Sequence, residues 1–249
     1  FKLPDFTLRG AGHLSGDAAQ HGGSVKADFT ASAGNFAVLS PELASLGNLA
    51  LTANVDVAVS QNATDKTFSI SGKTLNCTLA PQNGQTAISL ELLKPATIQY
   101  GASGLKLPAG DLARLTLAQM PAAWLSAVMP KPYSATGQGL SGQILLGARD
   151  DGALSANTSQ PITFSGLDVS QAKQPLLAGG VLTFDGAGSY LNHSLQAQVR
   201  DFSFAAHTVA FKGVTLTSVS LPGKIVQAKF AGNVSFVPGL PIPQVLATG

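Results

Sequence analysis

Charge is scarce in this sequence. Only 11% of its 249 residues are Asp, Glu, Lys or Arg, against about 25% in ordinary globular domains. The fifteen basic residues are scattered, no two of them adjacent, and the net charge is +2. A nucleic-acid partner needs a basic stripe to neutralise phosphates, so that class is excluded. Cysteine is nearly missing as well. Cys77 stands alone, which excludes an intrachain disulfide, and its place in an alternating apolar run reads as a small buried hydrophobe. Aromatic residues are 6%, with one Trp and three Tyr, too few for the two aromatic girdles of an outer-membrane barrel. Many strand candidates also read as shorter than the 9–11 residues that a barrel span requires.

Long apolar runs are lacking too. No stretch of about 20 residues is apolar enough for a membrane helix. The chain opens at Phe1 with no signal peptide. The expectation is one continuous β-rich fragment, 1–249, of a longer protein, with any membrane anchor outside it.

Catalytic and metal constellations are lacking in the same way. His13, His21, His193 and His207 have no Cys or second His at zinc spacing. Ser170-Gln171-Ala172-Lys173 matches S-x-x-K, but its S-D-N and K-T-G companions and a helical setting are missing. Gly72-Lys73-Thr74 resembles the end of a P-loop, yet position 67 is Thr rather than the required Gly. Asp150 and Asp151 are neighbours in a turn rather than a pair across a cleft. No enzyme, metal or cofactor is expected.

What the chain has is alternation. Leu49, Leu51, Ala53, Val55, Val57 and Val59 share one phase, and Ala50, Thr52, Asn54, Asp56 and Ala58 the other. Period two is the signature of a strand with one apolar and one wet face. The pattern recurs roughly 14 to 16 times, for example at Phe68 and Ile70, Ile162 and Phe164, and Leu182 and Phe184. Asp150-Asp151-Gly152, Asn83-Gly84, Gly22-Gly23, Asp185-Gly186 and Pro222-Gly223 read as turns, so an antiparallel meander follows. Pro121 to Met129 breaks the pattern and predicts a short helix with Pro121 at its first position and Trp124, Leu125 and Val128 on one side. The chain divides there into a β block over 1–110 and a helix-plus-β block over 111–249. Pro238 to Leu246 reads as a second helix or linker.

The second block carries a resemblance. MPAAWLSAVMP leads into KPYSATGQGLSGQILLGARDDGALSA, whose Gly139-Leu140-Ser141-Gly142 opens a strand. Pro161-Ile162-Thr163-Phe164 then runs to Gly166-Leu167-Asp168-Val169, followed by Pro175-Leu176-Leu177 and further alternating strands. This resembles the repeating β units of the AsmA-like family of large periplasmic proteins, which includes the TamB type. The resemblance covers residues 111–249, and 1–110 only in style. It implies an elongated, twisted, taco-like antiparallel sheet whose apolar groove carries lipid acyl chains between membranes. It also implies a periplasmic, membrane-anchored setting, with further repeats or envelope proteins as partners.

Alternation by itself builds a β-sandwich equally well. The low charge and the resemblance favour the open groove. The phase of the strands gives its lining as Val55, Val57, Phe164, Phe184, Phe202, Phe204, Phe211 and Phe230. The expected ligand is a phospholipid or another acyl-chain lipid. The competing function is a structural or adhesive surface domain with a dry core and no ligand.

Overall fold

The structure is a computed structural model. It describes residues 4–17, 21–62, 64, 66–82, 84–102, 104–127, 129, 132–191, 194–211, 214–221, 228–235 and 244–246, with side chains through residue 207 except at 17, 42, 194 and 195.

Strands dominate. They are β1 (Asp5–Asp17), β2 (Gly22–Gly34), β3 (Leu49–Gln61), β4 (Phe68–Pro81), β5 (Ile88–Leu92), β6 (Ala96–Gly101), β7 (Gly104–Lys106) and β8 (Gly110–Met120). The remainder are β9 (Tyr133–Thr136), β10 (Gly139–Ala148), β11 (Leu154–Gln171), β12 (Gln174–Leu191), β13 (Ser194–Phe211), β14 (Val214–Leu221), β15 (Ala228–Ser235) and β16 (Gln244–Leu246). All sixteen lie in one antiparallel sheet, whose main order is β1-β2-β3-β4-β5-β8-β10-β11-β12-β13-β15-β16. The sheet stays open, with β1 and β16 at its two ends. A second packed sheet is not formed by the described residues, so the sandwich alternative is corrected to a single layer.

The departures from a plain meander are interrupted strands. β5 and β6 line successive halves of one edge of β4. β9 and β10 do the same along β11, and β14 and β15 along β13. Strand lengths also correct the sequence reading. β11, β12 and β13 have 18 residues each, where alternation read several short runs. Length therefore gives no argument against a membrane span, and the open sheet order is what separates this fold from a closed barrel.

Turn chemistry explains part of the topology. Asp150-Asp151-Gly152 closes the β10–β11 hairpin as expected, with Arg149 N–H donating to Ala153 O at 2.8 Å and Asp151 Oδ1 accepting from Ala153 N–H at 3.0 Å. Asp185-Gly186 is no turn; it lies inside β12. Gly22-Gly23 begins β2, while Asn83, Pro222 and Gly223 lie outside the described residues. An unforeseen tight turn joins β11 to β12 at Ala172 and Lys173, both with positive φ (48° and 70°), the geometry of the two-residue hairpin that matches strand twist.

The helix expected at 121–129 is a 3-10 helix, Ala122–Ala127. Trp124 N–H donates to Pro121 O at 3.0 Å. The Ser126 hydroxyl ties this segment to β9, donating to Ala135 O and accepting from Ala135 N–H. Val128 lies outside the described residues. Two more 3-10 segments, Phe36–Val38 and Pro41–Leu46, were not foreseen, and Gln244–Leu246 is a strand rather than part of a helix. The compact core is shared by Pro41–Leu46 and Ala122–Ala127 with the strands beside them. Ala87, Met120 and Trp124 are buried there, packed by Leu46, Leu49, Leu79, Ile88, Leu117, Leu125 and Leu140. Burial is shallow: among the described residues seven of the ten buried apolar side chains are alanines, and no large side chain is fully enclosed.

Candidate functional site

Residues directly opposite in an antiparallel sheet share a face, so register traces the two surfaces strand by strand. One row runs Leu8, Ala31, Leu51, Leu79, Ile88, Leu117 and Gly142 across seven strands. The next runs Gly10, Phe29, Ala53, Cys77, Leu90, Leu115, Ile144 and Thr158. On β10–β13 the same face carries Leu140, Phe164, Leu182 and Phe204 in one row and Ile162, Phe184 and Phe202 in another. None of these positions holds a charged side chain, and only Thr158 has a hydroxyl. Cys77 takes part as a small half-buried side chain, and desolvation pushes its thiol pKa up.

The reverse face is polar. Arg9, Thr30, Thr52, Thr78, Ser89, Thr116, Gln143 and Gln160 form one row. Beside it run Ala11, Asp28, Asn54, Asn76, Glu91 and Arg114. Asn54 donates to Asp28, and Arg114 pairs with Glu91 at 2.9 Å. Exposed pairs like these are worth little. Their effect is to keep this face in water.

Among the described residues the apolar face is covered at one end, by the 3-10 segments. Away from them its side chains are half-buried or exposed: Leu8, Leu14, Val25, Val59, Phe68 and Ile70 all remain accessible. Over Gly10 and Gly12 the face sinks into a shallow recess of about 460 Å³ flanked by Leu8, Ala27 and Phe29. Gly10 is required there, because a β-carbon on it would lie 2.7 Å from the Phe29 β-carbon.

The expected lining residues fall as follows. Val55 and Val57 are half-buried on the apolar face of β3, opposite Ala27 and Val25. Phe164, Phe184, Phe202 and Phe204 are half-buried and adjoin one another on that face across β11–β13. The side chains of Phe211 and Phe230 lie outside the described ones. By backbone pairing, position 230 is opposite Ala197 and position 211 is opposite Val214.

The feature that sequence reasoning missed is a polar clamp between the two parts of this aromatic block's strands. The β12–β13 register shifts between Asp185 and Gly186, leaving Arg200 as the extra residue of a bulge. Its guanidinium donates to both Asp185 carboxylate oxygens, at 3.0 and 2.6 Å. It also reaches Asn157 Oδ1 at 2.6 Å and Thr158 O at 2.9 Å. The buried Thr158 hydroxyl accepts from Gly186 N–H at 2.9 Å and meets Asp185. Hydrogen bonding from Arg200 holds the Asp185 carboxyl below the usual carboxylate range, against the opposing effect of desolvation. The spacing Val199 to Phe202 held the signal: an apolar phase that jumps by three marks an extra residue.

The motifs set aside are dispersed. Ser170 is in β11 and Lys173 is in the adjoining turn. Lys73 occupies a bulge in β4, skipped between Thr74 and Gly72 in the register with β3. His13 is on β1, His21 is in a turn, and His193 lies outside the described residues. Among the described residues no three His, Cys, Asp or Glu side chains converge as a metal site, and no helix is long and apolar enough to cross a membrane. No family model, no curated protein and no solved structure matches this chain.

Proposed function

We propose that this chain is a lipid-handling segment of a bacterial envelope protein of AsmA-like type, one that shields acyl chains on the open apolar face of its sheet. The observation that carries the reading is the uncharged face traced from β1 to β13, roofed among the described residues at one end. Apolar surface left in water costs about 25 cal/mol per Å², and contiguous patches beyond a few hundred Å² mark interaction sites. An acyl chain suits this face because it asks for no hydrogen bonds. Each methylene moved out of water contributes about 0.8 kcal/mol. Without polar anchors along the rows, a bound chain has no fixed register and is free to slide. The role is binding and passage with no bond chemistry, in the periplasm, with membrane attachment supplied elsewhere in the full-length protein.

The test is uptake of a fluorescent fatty acid by the wild-type chain and by Phe184→Asp and Phe204→Asp. A carboxylate in the aromatic rows is expected to reduce uptake at least tenfold, whereas Thr52→Asp on the reverse face leaves it unchanged. Equal uptake by all four proteins sinks the proposal, as does no uptake by any of them.

A further inference from the structure

β1 is the end strand of the sheet, and among the described residues nothing pairs with its outer edge. Edges of soluble sheets are ordinarily guarded by short length, charged side chains, Pro or bulges. Of these β1 has only isolated charges, Asp5, Arg9 and Asp17. It is 13 residues long without Pro or Lys, and its register with β2 runs unshifted from Asp5–Gly34 to Asp17–Gly22. Its large apolar side chains are bare: Phe6 is 65% exposed, Leu8 60% and Leu14 78%. A further strand is what would cover them.

The sequence of β1 identifies the strand. Thr7-Leu8-Arg9-Gly10-Ala11-Gly12-His13-Leu14-Ser15 reads nearly the same in both directions about Ala11. Hydroxyl residues stand at ±4, leucines at ±3, Arg9 and His13 at ±2, and glycines at ±1. An antiparallel strand presents its sequence reversed to its neighbour, so a palindromic edge is complementary to itself. We propose that β1 pairs with β1 of a second copy of this chain about a two-fold axis through Ala11. Such an isologous contact is the commonest closed symmetry.

In this register Leu8 lies opposite the second copy's Leu14 on the apolar face, and each glycine meets a glycine. On the polar face Thr7 meets Ser15, a hydroxyl pair like the Ser15–Ser24 bond of 2.7 Å within the chain. The Arg9 guanidinium lies against the imidazole of the second copy's His13. Pairing ends beyond these nine residues, where Asp5 would face Asp17. The axis is normal to the sheet, so the two apolar faces lie on the same side and join into one surface twice as wide. The inference goes beyond the lipid reading and does not depend on it.

Sedimentation equilibrium of the purified chain tests it. A reversible dimer in the micromolar range is expected. Ala11→Lys places two ammonium groups face to face on the axis, and like charges directly opposite are destabilising, so its dimer constant weakens several-fold. Within each chain the new Lys lies beside Asp28, and circular dichroism is expected to match the parent. On a Cys77→Ala background a short thiol cross-linker joins copies of Ala11→Cys. It also joins Thr7→Cys with Ser15→Cys in a mixture, but neither of these alone. A chain that stays monomeric overturns the proposal, and so does a dimer that cross-links equally through Thr7→Cys alone.

Discussion

The two halves of the sheet obey the same alternation and handle it differently. From β1 to β3 the register is unbroken: β1–β2 and β2–β3 pair without a shift. The apolar rows there are mostly Ala, Val and Leu, with Phe6 and Phe29 the aromatic exceptions, and the polar reverse face forms straight rows such as Arg9-Thr30-Thr52. From β8 to β13 the strands lengthen to 18 residues and shift repeatedly. Aromatic side chains replace Ala and Val on the apolar face, and Arg200 clamps three strands where the register breaks. Bulges bend a sheet and increase its local twist. The straight half therefore teaches that alternation by itself suffices for a ladder. The bulged half shows that curvature needs a polar device to satisfy the backbone it disturbs.

The seam between the halves is the most sensitive place. There Trp124 joins Ala87 and Met120 in the buried cluster against which Leu49, Leu79, Ile88, Leu117 and Leu140 pack. Trp124→Ala is expected to cost about 3–5 kcal/mol, the range for emptying an aromatic site in a core. Thermal unfolding followed by circular dichroism measures it, and a loss below about 1 kcal/mol would mean that the two halves do not share a core.

Next comes the clamp. Thr158→Val keeps the shape of the side chain but leaves Gly186 N–H without its acceptor, at an expected cost of about 1–3 kcal/mol. Denaturant titration reads this, and Thr52→Val in the straight half serves as the comparison, expected within about 0.5 kcal/mol of the parent. Equal losses at the two sites would contradict the special role of the bulged half.

Asp185→Asn is smaller, about 1 kcal/mol, because Asp185 and Arg200 side chains are 26% and 37% exposed and solvent weakens their attraction. Its pH dependence has a definite sign. The folded-state pKa of Asp185 is lowered, so its contribution is fully present above the unfolded value of about 3.9. The contribution is lost as pH falls through the folded value. The parent chain is expected to lose stability relative to Asp185→Asn below about pH 4, and parallel curves down to acid would refute the clamp's charge.

How much of this was legible follows the same division. In β3 the phase of Leu49, Leu51, Ala53, Val55, Val57 and Val59 placed every side chain on its face, because nothing interrupts the strand. In β13 the same method placed Phe202 and Phe204 together, opposite Phe184 and Leu182, but it did not register the extra residue at Arg200. Two bulges in β11 cancel, so Ala156 and Phe164 share a face and the irregularity leaves no trace in the pattern. The Ala172-Lys173 turn carries neither Gly nor Asn, and Pro41–Leu46 has no long apolar period, so propensity gave no notice of either. The clamp residues had two faint signals, the three-residue jump from Val199 to Phe202 and lone charges inside apolar strands of a chain poor in charge.

The central claim is that an acyl chain occupies the apolar face. Native mass spectrometry of the purified chain, followed by denaturing extraction and lipid analysis, tests it most directly. The account predicts bound phospholipid that is released only on denaturation. A clean unliganded mass, with no uptake when phospholipid is supplied, would contradict it and favour a structural β domain.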